Sequence, residues 1–253
     1  MCSSRMSRSS PYLAHSVTSL PYRLAKLRWP ASESHPIDLV AAPVPCSLSR
    51  PDHEQAAPGP EKGHRSVVVD RMVIGLVACA AGGLRTIRDG FVEPALRMDW
   101  RVAVTLTPTA SLWLSDGAEP ARIEQATGLP VRDHPRLPHE PRPHPELACC
   151  VVAPASANTV AKLALGISDN QALATANEAI GDPDVPVIVF PRVSAAHVRH
   201  PAWAGHLAAL RSAGVHLVYG EAVWPIDEPR QGPPGGRPLP WAAILDLVRQ
   251  VMT

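Results

Sequence analysis

Three short polar side chains are gathered in the stretch Pro154-Ala155-Ser156-Ala157-Asn158-Thr159, directly behind the apolar run Cys149 to Ala153. If a buried strand ends at Pro154 and a helix starts a few residues later, Ser156, Asn158 and Thr159 fall where backbone N–H groups are unpaired and the helix dipole is positive. Such a place suits an electron-rich ligand. Helix capping by Ser156 or Asn158 is the competing reading, although capping uses one such residue and not three. A second group, Pro191-Arg192-Val193-Ser194-Ala195-Ala196-His197, follows the apolar run Val185 to Phe190. Arg192 could give a bidentate partner to a carboxylate or phosphate, or be a plain surface cation. The third group is His134, His139 and His144, five residues apart within Pro130 to Pro145. No regular element sets that spacing and no carboxylate–histidine pattern surrounds it, so no metal site is expected.

These residues need elements to position them. From Met72 onward, apolar runs alternate with helical spacing. Val73 to Cys79, Val102 to Leu106, Cys149 to Ala153, Val185 to Phe190 and Val215 to Val218 read as strands. Leu84 to Arg97, Thr159 to Leu165, Gln171 to Ile180, Ala202 to Ala213 and Trp241 to Val251 read as helices. Strands that are apolar at every residue are buried on both faces, as in a parallel sheet covered by helices. The expected fold is therefore α/β, a doubly wound parallel sheet with ligands beyond the carboxyl ends of its strands. Pro130 to Pro145 and Pro225 to Pro240 are too rich in Pro, or in Pro and Gly, to be anything but loops.

Composition narrows the function. The 253 residues carry a formal net charge of +1 and no block of like charges, which excludes nucleic acid as the main partner. No run of 18 apolar residues exists, so no membrane-spanning helix is expected. The five cysteines, Cys2, Cys46, Cys79, Cys149 and Cys150, lack metal-ligand spacing, and a reducing cytoplasm is the natural setting. Residues 1–71 are rich in Ser, Pro, Arg and His without sustained periodicity. They are expected to be a disordered extension, or one that exists only through a start assigned too early, with Met72 the alternative start. The folded domain is expected over residues 72–253.

The stretch PASANT, continuing through Ala161-Lys162 to Gly166-Ile167-Ser168-Asp169-Asn170, resembles the signature of the homo-oligomeric flavin-containing cysteine decarboxylases, a family that includes phosphopantothenoylcysteine decarboxylase and peptidyl-cysteine decarboxylases. The resemblance covers about residues 72 to 251. It implies a flavodoxin-like three-layer αβα sandwich that binds FMN at a subunit interface and assembles as a homotrimer or a multiple of trimers. It further implies a small-molecule or peptide substrate with a thiol or carboxylic acid. Carried over, Ser156, Asn158 and Thr159, with Pro154 and Ala157 between and beside them, would contact the flavin. Cys79-Ala80-Ala81 stands where the family has its Gly-Ser phosphate turn, here without a hydroxyl, and Thr107 matches a flavin-contacting Thr or Ser. The chain also departs from the pattern. In the family's PxMNxxM motif Ser194 occupies the Asn position and His197 the second Met. Leu147-Ala148 replaces the Ala-Asp pair that follows the family's catalytic His. For that His, His139 is nearest in spacing and His144 the runner-up, and an imidazole titrating near neutrality suits an acid or base. The catalytic candidates are thus His139, Ser194 and Arg192. The implied activity is an FMN-dependent lyase or oxidoreductase. The alternatives are a non-catalytic flavin binder or assembly partner, and a flavin prenyltransferase-like enzyme, whose Pro-Arg-Glu stretch Pro191-Arg192 matches in part.

Overall fold

A computed structural model describes residues 72–231 and 237–253. The extension expected over residues 1–71 lies outside the described residues. Five strands, β1 Val73–Ala78, β2 Arg101–Leu106, β3 Cys149–Ala155, β4 Val187–Pro191 and β5 His216–Leu217, form one sheet in the order β2-β1-β3-β4-β5. Every pairing is parallel. The apolar runs explain this. β1, β3 and β4 are buried at every residue, which a sheet tolerates only when helices cover both faces.

Alternation along the strands sorts side chains into two layers. Ile74, Leu76, Val104, Val151, Ile188 and Phe190 pack on one face with Phe91, Ile123, Ile244 and Val248. Val77, Cys150, Val152 and Val189 pack on the other with Val160, Leu173, Trp203 and Leu207. Each large side chain fully buried in these layers contributes about 1.5–3 kcal/mol. The result is a three-layer αβα sandwich.

The helices are α1 Glu93–Arg97, α2 Pro108–Ser115, α3 Glu119–Thr127, α4 Ala157–Ala164, α5 Gln171–Gly181, α6 Ala195–Val198, α7 Trp203–Ser212 and α8 Trp241–Val251. The helix expected over Leu84 to Arg97 is present as three joined pieces: a 3-10 turn at Leu84–Thr86, a π turn at Arg88–Val92, and α1. Two helices, α2 and α3, occupy sequence that shows no clear apolar period. Pro108 and Pro120 sit in their first turns, where a missing N–H costs nothing. β3 runs one residue past the expected end at Pro154, to Ala155. The proline-rich stretch from Pro130 forms no helix. Its Arg132 exchanges backbone hydrogen bonds with Val104 and Leu106, covering the outer edge of β2.

The π turn allows one close approach. Gly90 faces Trp241 of α8, and a Cβ there would fall 2.0 Å from the indole Cδ1. Trp241 also donates to Thr86 Oγ1 at 2.9 Å and meets Phe91 edge-on at 6.1 Å. We expect Gly90→Ala to cost about 1–3 kcal/mol by overpacking, with the melting temperature falling about 2–4 °C per kcal/mol. Gly205 in α7 has nothing within 4 Å of its would-be Cβ. Gly205→Ala is expected to stabilise by about 0.5–1 kcal/mol through helix propensity. Thermal denaturation of the pair checks the packing, and equal effects of one sign would contradict it.

Candidate functional site

The chain reverses direction across the sheet between β1 and β3, because β2 lies to one side of β1 and β3 to the other. In such sheets the crevice beyond the strand ends at this switch point is the ligand-binding place. Main-chain hydrogen bonds tie the ends of β1, β2, β3 and β4 together there. Cys79 N–H donates to Pro154 O at 3.1 Å, Thr107 N–H to Ala78 O at 3.0 Å, and Arg192 N–H to Ala155 O at 2.8 Å. The stretches around Cys79, Thr107, Pro154 and Arg192 therefore converge.

Their side chains divide the work. Ser156 is the N-cap of α4, accepting from Thr159 N–H at 3.2 Å, so the capping reading holds for Ser156. Its hydroxyl also lies 3.1 Å from Thr159 Oγ1. Thr159 is buried and donates to Cys79 Sγ at 3.2 Å. Asn158, by contrast, is exposed in the first turn of α4, with no side-chain hydrogen bond among the described residues. Of the three polar groups, two brace the crevice and one is free to meet a ligand. Ala157, between them, is half-buried. Thr107 caps α2 through Ala110 N–H at 3.3 Å.

The turn after β1 holds Cys79, Ala80 and Ala81. Ala81 N–H donates back to Cys79 O at 2.8 Å, and Leu84 N–H to Ala81 O at 3.1 Å. The N–H groups of Ala80, Gly82 and Gly83 have no partner among the described residues. Burial pushes the Cys79 thiol up, against the smaller opposing pull of the Thr159 bond.

Arg192 follows β4 and reaches back across β3. Its Nη2, Nε and Cζ lie 3.4, 3.5 and 3.6 Å from where a Cβ on Gly82 would stand, so the guanidinium covers the β1 turn. Its Cζ is 5.0 Å from the Trp224 ring centroid, and Arg237 approaches the same ring at 5.0 Å. Arg237 is paired with Asp227 at 3.2 Å and Pro225 O at 2.7 Å. The Arg192 side chain has no hydrogen bond or ion pair among the described residues, and its Nε is buried without a partner, as is Trp224 Nε1. Burial pulls its pKa below the usual arginine value, opposed by Asp227 and assisted by Arg237. A buried donor left unpaired costs about 1–3 kcal/mol. An acceptor-rich anion answers that deficit.

Ser194 lies two residues on, half-buried, its Oγ 3.1 Å from His197 Nδ1. Two of the residues that depart from the PxMNxxM pattern thus face each other. His139 is not brought to them. It is exposed, in the loop that covers the edge of β2. That edge is three strand spacings, roughly 14 Å, from β4. His144 is half-buried, its Nε2 2.7 Å from Pro130 O, and burial pulls its pKa down. His144, Arg132, Arg136 and Arg142 line a groove of about 920 Å³ against one face of α5. None of the strand-end candidates lines it. No group of His, Cys, Asp or Glu that could hold a metal occurs among the described residues.

The crevice thus offers unpaired N–H groups, an exposed amide and a guanidinium without an ion pair, an arrangement that fits an anionic ligand. A family model described as Flavoprotein matches residues 91–253. The chain belongs to that family. Solved structures of similar shape include HAL3 from Cryptococcus neoformans, 20% identical over 72% of this chain and 96% of that one, with a TM-score of 0.50. The FMN-dependent cysteine decarboxylase SpaF is 22% identical over 73% and 98%, with a TM-score of 0.51. MrsD from Bacillus sp. HIL-Y85/54728 is 16% identical over 72% and 97%, with a TM-score of 0.50. At these identities they establish the flavodoxin-like fold. A curated cysteine/cysteine sulfinic acid decarboxylase from an unknown prokaryotic organism is 37% identical over 68 residues, which is 27% of this chain and only 18% of that relative's length. Among the described residues no helix is long and apolar enough to cross a membrane.

Two cysteines that fall within the family's span, Cys149 and Cys150, are buried in β3, and burial pushes both thiols up to about 12. Thiolate is the reactive form. Native protein treated with iodoacetamide at pH 8 should therefore leave both unmodified by peptide mapping, and denatured protein should be labelled at both. Labelling of either in the folded state would show that β3 opens.

Proposed function

We propose that this protein binds FMN in the β1/β3 crevice and is a lyase or oxidoreductase of the decarboxylase type, acting on a small or peptidyl thiol or carboxylic acid. The observation that carries this reading is the convergence, at the switch point of a 2-1-3-4-5 sheet, of the β1 turn and the Ser156–Thr159 stretch. Membership of the Flavoprotein family supports it, and sheets of this order hold FMN at that point.

In this reading the backbone of Cys79, Ala80 and Ala81 lies against the phosphate, and Thr107, Pro154, Ala157 and Asn158 contact the flavin. Ser156 and Thr159 hold the α4 N-terminus in place and brace it against Cys79. The flavin, when bound, supplies two-electron chemistry. In this reading Ser194, at the start of α6, orients the substrate carboxylate, its single hydroxyl donating one hydrogen bond. His139 serves as acid or base only if a second copy delivers it, which agrees with a homotrimer or a multiple of trimers whose sites lie between subunits. A cytoplasmic setting completes the proposal.

Purified protein should be yellow and release FMN on denaturation. FMN should also raise its melting temperature by mass action. Asn158→Ala should weaken FMN binding by about two- to tenfold, the value of one hydrogen bond. Ser168→Ala, which removes a hydroxyl bonded to Asn177 at 2.9 Å beyond α4, should leave binding unchanged. A colourless protein that FMN does not stabilise would refute flavin binding. Equal affinities in the two variants would refute the placement of the cluster. Bound FMN without turnover on cysteine-containing acids would leave a flavin binder without this catalysis.

A further inference from the structure

We propose that Arg192 is the cation that neutralises the phosphate of the bound flavin, clamping it against the β1 turn from across β3. The inference rests on the flavin reading above and adds a residue that selects the phosphorylated form. The β1 turn carries no side chain able to bind phosphate: Cys79, Ala80 and Ala81 have only a buried thiol and two methyl groups, and Gly82 and Gly83 have nothing. Backbone N–H groups alone must then meet a group of about two negative charges. The guanidinium lying on Gly82 supplies what they lack.

Three observations point to a ligand and not to a structural ion pair. Arg192 has no carboxylate within ion-pair distance among the described residues, whereas Arg237, on the same indole, is paired with Asp227. One end of the guanidinium, Nε, is buried and orphaned, and so is the Nε1 of the Trp224 it approaches. The backbone N–H of Arg192 is fixed to Ala155 O at 2.8 Å, so its origin is tied to the strand that forms the other wall of the crevice. A planar fork of donors so placed matches a phosphate's oxygens. Trp224, held edge-on to Phe190 at 5.6 Å, keeps the fork from swinging into solvent.

The test compares FMN with riboflavin, which differ only in the phosphate, in native protein, Arg192→Met and Arg192→Lys. Affinities are read from flavin fluorescence, and stability is followed by thermal denaturation in inorganic phosphate. In the native protein FMN should bind at least tenfold more tightly than riboflavin. Arg192→Met should abolish most of that ratio while leaving riboflavin affinity within about twofold, and Arg192→Lys should restore part of it. The proposal is overturned if Arg192→Met keeps the FMN-to-riboflavin ratio, or weakens both flavins equally. It is also overturned if the ratio holds while binding of mercaptopropionate to the loaded protein falls, since Arg192 would then hold a substrate carboxylate. If native protein binds neither flavin, the flavin reading has failed. The anion site is then decided by phosphate: stabilisation of native protein but not of Arg192→Met supports it, and no stabilisation overturns it.

Discussion

Three backbone hydrogen bonds set the shape of everything at the carboxyl edge of this sheet: Cys79 to Pro154, Thr107 to Ala78, and Arg192 to Ala155. They carry the lateral pairing of the strands one residue into the connections that follow them. A connection fixed in this way cannot wander, and β1, β2, β3 and β4 each hand over their chain at the same level. The crevice between the β1 turn and the start of α4 is a direct result. Without these links the polar residues that follow β3 would be only a helix cap on a mobile loop.

The layers beneath make those links durable. β1, β3 and β4 are buried on both faces, so a shift of any one strand by a residue would exchange the two packed layers. Register in the core therefore specifies register at the site. The one irregularity, a shift in the β3–β4 pairing between Val152 and Ala155, falls at the strand end that carries the polar stretch. Such irregularities re-aim side chains near ligand sites.

Much of this was legible in the sequence. Unbroken apolar runs marked β1, β3 and β4, since a doubly covered strand has no choice but to be apolar throughout, and Trp241 to Val251 was found to the residue. The first two helices after β2 were not legible. In α2 Leu112 and Trp113 face solvent, and in α3 only Glu119 and Ile123 are buried, so neither shows a clean stripe. At the site, spacing placed Ser156, Asn158 and Thr159 together but could not say which way each turned. That depends on Cys79, 80 residues earlier in the chain. The sequence also presented Arg192 as a surface or ligand residue alike. What separates the two is Gly82 and Trp224, brought to it only by the fold.

The packing of Trp241 against Gly90 and its bond to Thr86 join segments 155 residues apart in sequence. During synthesis the helical segment after β1 emerges early, with Phe91 and Val92, both buried in the finished core, still uncovered. Its closing partner is made only after the other four strands and the helices between them. Domains fold as units during synthesis, and this layer cannot close until α8 has left the ribosome. The nascent chain therefore carries an open apolar face at Phe91 and Val92 until α8 is made.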